Sequence, residues 1–347
     1  MPVASCNAFQ GPTSRSKTGA AADMLVVEGL TVQYRVGSRE LKAVDQASFS
    51  VAHGEIVGLL GESGCGKTTT ALSLLRMLPD TATMTTGRIY FGGRDVWSLS
   101  EEQLRELRGA EVAIIFQDFA VLNPVMRVGN QVIEVLRAHS QCNLRQAQEK
   151  VHDLFTSIGL LDFDRIYHAY PHQLSGGQRQ RIAIAQALIC QPKLVIADEP
   201  TAHLDARTAA EILASMKQMR EIRQTSFIII SHDPDILATV ADRIIVMYAG
   251  QVVEDGPAEE VLSSPLHPYT RALLECSPKR ITTVPLASGK KRFPCIPGEL
   301  PDPLEALPGC SFSPRCADRM PVCDSHRPGL FSESRGGSVR CFKYEVE

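Results

Sequence analysis

The stretch "GESGCGKT", Gly61 to Thr68, constrains this chain more than any other. It matches G-x-x-x-x-G-K-[ST] and lies between the apolar run "GEIVGLLG" and the helical pattern "TTTALSLLRML", the strand–loop–helix setting that motif needs. Its glycines let backbone N–H groups turn toward phosphate oxygens, and the helix behind them offers a positive dipole end. Gly61, Glu62, Ser63, Gly64, Cys65, Gly66, Lys67, Thr68 and Thr69 are therefore candidates for holding a nucleoside triphosphate. In that arrangement Lys67 reaches the β- and γ-phosphates and the Thr68 hydroxyl ligates Mg²⁺.

A phosphate loop between a strand and a helix demands an α/β domain, and the chain supplies one. "VAIIFQ", "KLVIADEP", "SFIIISHD" and "RIIVMYAG" are near-continuous apolar runs that end in polar residues, as expected of strands covered on both faces with their chemistry at the C-terminal ends. Between Val128 and Gly159, apolar residues such as Val132, Leu136, Val151 and Leu154 recur at three- and four-residue spacing, which predicts an inserted helical subdomain. After Gly256 the sequence turns Pro-rich, with "SSPLHPYTRALLECSP" as a short helix and a loop-dominated tail behind it.

Two further motifs carry chemistry. "LVIADE" is a buried strand ending in two carboxylates: Asp198 is placed to hold Mg²⁺ and Glu199 to orient an attacking water or accept its proton. "LSGGQ", Leu174 to Gln178, begins the helical pattern "RQRIAIAQAL", with Ser175 as its cap and two glycines at its entry.

Together with the phosphate loop, these stretches resemble the ATP-binding-cassette (ABC) ATPases over about Leu25 to Gly256. The resemblance implies a P-loop core sheet, an antiparallel β subdomain and a helical subdomain at about 120–180. It also implies that ATP held on one cassette's phosphate loop is closed over by Ser175, Gly176, Gly177 and Gln178 of a second cassette. Position by position, Tyr34 matches the aromatic that stacks on adenine, and Gln117 the glutamine that senses Mg²⁺ and the lytic water. His232 matches the histidine on the γ-phosphate, and Asp205 the loop that communicates between sites. Glu199, His232 and Gln117 are then the catalytic set, with Thr68, Gln117 and Asp198 around Mg²⁺. Three departures stand out. Cys65 replaces a usual serine, "FQDFAVLNP" is one residue shorter than usual, and His203 occupies a place normally given to a small residue.

Farther on, "HPYTRALL" and "GCSFSPRC" resemble the C-terminal region of ATP-binding subunits of bacterial peptide/nickel importers, the oligopeptide and dipeptide permeases. That resemblance implies a heterodimer with a related cassette subunit, two transmembrane permeases, an extracytoplasmic substrate-binding protein and a place on the cytoplasmic face of the plasma membrane. Relatives of this kind can also hold a [4Fe–4S] cluster. Here Cys310, Cys316, Cys323 and Cys341 are spaced C-x5-C-x6-C-x17-C, and four thiolates suit either a cubane or tetrahedral zinc. The gaps are wider than zinc's usual C-x2-4-C knuckles and favour the cluster. Either would act as a structural staple for a segment with little apolar material, lying beyond the cassette so that its loss harms ATP turnover less than it harms the tail.

The expected organisation is a disordered tail over 1–23, an ABC ATPase domain over 24–256 and a small cysteine-containing C-terminal domain over 257–347. Composition agrees with a globular chain: 347 residues, 44% hydrophobic, formal net charge −3. That near-neutral balance points away from nucleic acid, and no window holds the ~18 uncharged apolar residues a membrane span needs. Peptides are the expected cargo, with nickel or a metal chelate as the alternative. A soluble DNA-repair ABC ATPase is a rival from another class, but it predicts a long insertion or a second cassette, and this chain has neither.

Overall fold

The computed structural model describes residues 23–117, 122–202, 204–277, the backbone of 284–285 and 291–292, and residues 295–302, 304, 308–333 and 336–345. Of the tail expected over 1–23, only Asp23 is described, and it opens the first strand; residues 118–121 of the glutamine segment and His203 also lie outside the described residues.

The strands form two main sheets. In the first, β1 (Asp23–Val36), β2 (Arg39–Ala52), β4 (Ala82–Phe91) and β5 (Arg94–Asp95) pair antiparallel in the order β2-β1-β4-β5. The second has eight strands. Its centre is parallel: β9 (Arg243–Tyr248), β3 (Ile56–Leu60), β8 (Ser226–Ser231), β7 (Leu194–Asp198) and β6 (Val112–Ile115). β10 (Gln251–Pro257) turns back antiparallel along β9, and β14 (Ser338–Val339) and β13 (Phe331–Ser332) extend that edge. A small ribbon pairs β11 (Val284–Pro285) with β12 (Lys291–Arg292).

The uninterrupted apolar runs have a direct cause. In β3, Ile56 and Leu60 face one core while Val57 and Leu59 face the other; in β7, Val195 and Ala197 oppose Leu194 and Ile196; in β8, Phe227 and Ile229 oppose Ile228 and Ile230. Successive strand side chains point to opposite faces, so a strand buried on both must be apolar throughout. One face packs against the antiparallel sheet, α1 (Lys67–Leu74) and α2 (Glu101–Leu107). The other meets the inserted helices α3 (Val128–His139), α4 (Leu144–Ser157), α5 (Phe163–His168) and α6 (Gly176–Leu188), and beyond them α7 (Ala206–Arg223) and α8 (Pro234–Val240).

The C-terminal segment is joined to this framework through α9 (Ala258–Ser263), α10 (Pro268–Glu275) and α11 (Val322–Ser325). Beyond α10 its expected poverty of apolar burial holds with few exceptions, Phe312, Cys323 and Val339 being its buried apolar residues among those described. Phe312 is buried and packs against Tyr248 and Tyr269, with ring centroids 5.2 and 5.4 Å away, as part of the main core. Burying one such ring contributes about 1.5–3 kcal/mol, so the tail has an anchor of its own.

Candidate active site

The C-terminal ends of β3, β7 and β8 open onto a cavity of about 520 Å³. Glu62, Ser63, Gly64, Gly66, Lys67, Thr68 and Thr69 line it from the loop, opposite Gln117, Asp198, Glu199 and His232. Ala43 and Leu273 complete the wall; neither carries a signal by which sequence reasoning could have found it.

The loop's shape depends on its glycines. Gly66 has φ +105°, and a Cβ there would stand 2.4 Å from the Ala43 carbonyl oxygen; at Gly61 it would stand 2.3 Å from that of Met247. Gly66 also caps α1 without a side-chain acceptor, so the helix's first N–H groups are available to an anion. Lys67 is buried, its ammonium donating to the Gly61 and Glu62 carbonyls at 2.8 and 2.9 Å, with Cys65 Sγ 3.8 Å away. Burial raises the pKa of the Cys65 thiol even beside that ammonium, so the cysteine sits here as a neutral, small buried side chain.

Across the cavity, the Thr68 hydroxyl donates to Asp198 Oδ2 at 2.7 Å. Burial pushes the Asp198 carboxyl above its usual range, and the neighbouring Glu199 adds to this. A divalent cation would reverse that tendency, and a hydroxyl and a carboxylate on the phosphate cavity are oxygen donors that suit Mg²⁺. Glu199 follows directly with φ 49°, left-handed for a residue with a Cβ. Such a backbone costs roughly 1–3 kcal/mol and persists where the surroundings impose it. Its amide donates to the Ile230 carbonyl at 3.0 Å, while its Oε1 accepts from the His232 amide at 3.1 Å and lies 2.6 Å from His232 Nδ1. His232 is largely exposed toward the cavity mouth; Glu199 is not.

The remaining expected residues divide into two groups. Tyr34 stands beside the cavity, its hydroxyl 3.3 Å from Thr69 Oγ1. Ser175, Gly176, Gly177, Gln178 and Asp205 do not line the cavity at all. Ser175 caps α6 in a reciprocal box with Gln178, its Oγ accepting the Gln178 amide at 3.3 Å. Asp205 caps α7, accepting from the Thr208 amide and hydroxyl at 3.0 and 2.8 Å, bonds that hold its carboxyl below the usual range. The two caps meet at Thr208, whose methyl would lie 2.9 Å from a Cβ on Gly177.

One part of the site was not legible in the sequence. Glu62 donates its amide to the Tyr269 hydroxyl at 2.9 Å, and its carboxylate is gripped by Arg315 from the cysteine-rich tail at 2.8 and 3.1 Å. The tail therefore reaches the phosphate loop, correcting the expectation that it lies clear of the cassette.

Cys310, Cys316, Cys323 and Cys341 do converge, on a second cavity of about 10 Å³ between His267, Phe312 and Met320. Burial raises the thiol pKa at Cys310 and Cys341, and at Cys316 to about 11. The expected metal or cluster site is not shown: among the described residues no group of three or more His, Cys, Asp or Glu side chains is set to hold a metal ion. The space is that of a single water. Cys65, Cys142, Cys190 and Cys276 are likewise free thiols.

Comparison with known proteins decides the family. The model described as "ABC transporter" matches residues 44–202, and that described as "Oligopeptide/dipeptide transporter, C-terminal region" matches residues 253–323. The chain is 40% identical over 321 residues to a putative peptide import ATP-binding protein of Brucella abortus (strain 2308), covering 92% of this chain and 95% of that one. It belongs to the ATP-binding subunits of oligopeptide- and dipeptide-type ABC importers. Another member, the oligopeptide transport ATP-binding protein AppD of Bacillus subtilis (strain 168), is 39% identical over 93% of this chain and 98% of its own. Dipeptide transport ATP-binding protein DppD of Escherichia coli (strain K12) is 38% identical over 92% and 96%. Among solved structures, a dimeric post-hydrolysis ATP-binding cassette, MJ0796, bound to ADP and Pi superposes with a TM-score of 0.62 at 26% identity, over 68% of this chain and 99% of that one. As a member of this family the subunit is an ATPase, and the cavity's cradle of loop amides, Lys67, Thr68 and Asp198 fits ATP with Mg²⁺.

Proposed function

We propose that this subunit powers peptide import by closing with a second, non-identical cassette over two ATP molecules. The observation that carries the shared-site reading is the separation above: the phosphate loop, Asp198, Glu199 and His232 line one cavity, while Ser175, Gly177 and Asp205 do not line it. A site lacking its helix-entry glycines is completed when a partner's Ser175-type helix N-terminus covers the γ-phosphate. Within each site, Lys67 and the loop amides hold the phosphates, and Thr68, Asp198 and Gln117 would hold Mg²⁺, which neutralises charge during transfer. Glu199 orients the water and takes its proton, His232 sits on the γ-phosphate, and Tyr34 stacks on the adenine.

Closure would pass through the region after Gln117 to two permeases at the cytoplasmic face of the membrane, fed by an extracytoplasmic binding protein. No helix among the described residues is long and apolar enough to cross a bilayer. The names of the relatives support peptides over nickel or a chelate as cargo. For the cysteine centre we retain a [4Fe–4S] cluster over zinc. A single ion at Zn–S ~2.3 Å draws its thiolates to about 3.8 Å from one another, whereas a cubane holds them farther apart. What supports the larger group is the wide C-x5-C-x6-C-x17-C spacing of four thiols that line one cavity.

The experiment is reconstitution of the subunit with its partner cassette, permeases and binding protein in proteoliposomes. Peptide-loaded binding protein should stimulate ATP hydrolysis well above the slow rate of the isolated subunit. Stimulation by nickel but not by peptides would refute the cargo, and full-rate hydrolysis by the lone subunit at any dilution would refute the shared site.

A further inference from the structure

The phosphate loop of this subunit contains a carboxylate where polyphosphate must bind. Glu62, directly after Gly61, lines the nucleotide cavity together with Lys67 and Thr68. Left alone, its negative charge would oppose the phosphates. Arg315 meets it with a two-bond fork, Nη1 to Oε2 at 2.8 Å and Nη2 to Oε1 at 3.1 Å. The guanidinium is itself fixed on three further sides. Its Nε donates to the Pro297 carbonyl at 3.0 Å, Nη1 reaches the Tyr248 hydroxyl at 3.4 Å, and its carbon lies 5.8 Å from the Tyr248 ring centre. Its side chain is 5% exposed and that of Glu62 25%, so the pair is only partly screened by solvent. The Glu62 amide is held at the same time by Tyr269, whose ring packs on Tyr248 at 4.6 Å.

We propose that Arg315 is a positioning residue for ATP binding. It neutralises Glu62 and turns its carboxylate away from the phosphates, so the C-terminal segment forms the outer wall of the phosphate loop. A planar fork suits this task better than an ammonium, because two parallel bonds fix the carboxylate's orientation as well as its charge. Without Arg315 the loop keeps its glycines and Lys67 but presents an unpaired negative charge at the cavity wall.

The test is equilibrium binding of Mg-ATP to the full-length chain, with steady-state KM and kcat measured in the assembled transporter. Arg315→Met should weaken ATP binding roughly 10- to 100-fold, the size of one uncompensated charge several ångströms from a polyphosphate in a partly screened cleft. The loss should fall on KM more than on kcat. Combining it with Glu62→Gln should recover most of the affinity, because the repelling charge is then gone. A purely structural role for Arg315 would lower stability and kcat along with affinity, rather than raising KM alone. Unchanged affinity in folded Arg315→Met, or a double variant that binds no better than Arg315→Met, overturns the proposal. Should the methionine variant not fold, Arg315→Gln carries the same two outcomes, since it keeps a polar, hydrogen-bonding side chain while removing the charge and the fork.

Discussion

Glu199 combines features that rarely coincide in one residue. It occupies left-handed backbone at the end of a fully buried strand, holds the His232 amide and ring on one oxygen, and faces the phosphate cavity. Glu199→Gln keeps an oxygen for the His232 amide but cannot take a proton. ATP should still bind, because Lys67, Thr68 and the loop amides are untouched, while turnover in the assembled transporter should fall ~10²- to 10⁴-fold. Near-normal hydrolysis by this variant would remove Glu199 from the proposed chemistry. This residue was legible in the sequence because an apolar run ending in two acids, downstream of a phosphate loop, leaves few other uses for the second acid. Arg315 was not. Its partner Glu62 lies 253 positions away, and neither residue's neighbours announce a long-range pair.

Among the elements, the long buried strands and the inserted helices could be read from periodicity, since each must satisfy its own burial pattern whatever its neighbours do. β13 and β14 could not. Each spans two residues, too few to carry a period; β14 pairs with the edge that β10 offers, and β13 with β14. The start of α10 lies between these cases. His267 caps the helix, its Nδ1 accepting the Tyr269 amide at 3.0 Å, and burial depresses its pKa to about 3. A neutral ring is needed for that bond. Below the ordinary value of 6.5 the unfolded chain takes up a proton that the folded one refuses. Stability is therefore lost as pH falls from 6.5 toward about 3, at up to ~1.4 kcal/mol per pH unit. His267→Asn keeps a capping acceptor and cannot titrate in this range. The drop in urea midpoint between about pH 7 and about pH 5 should thus be smaller in the variant than in the native chain. Equal drops in both would show that His267 does not carry this acid sensitivity.

At the scale of the whole molecule, cassette and tail share one sheet, one aromatic cluster and one ion pair at the phosphate loop. The cysteine centre sits inside that junction, because Arg315 precedes Cys316 and Phe312 lies between Cys310 and Cys316. On the proposed cluster, anaerobically prepared protein should carry about four iron atoms per chain with broad visible absorption. Replacing any of Cys310, Cys316, Cys323 or Cys341 by Ser should release the cluster and make the tail more sensitive to protease, although Phe312 still anchors part of it. The four variants should differ in their effect on nucleotide. Cys316→Ser disturbs the residue beside the Glu62 clamp and should weaken ATP binding more than Cys341→Ser, whose position lies beyond the β14 edge strand. One zinc and no iron in anaerobic material would overturn the cluster but leave the staple, and metal-free protein with a protease-resistant tail would overturn both. Equal ATP affinity in Cys316→Ser and Cys341→Ser would show that the centre and the phosphate loop, though adjoining, are not mechanically coupled.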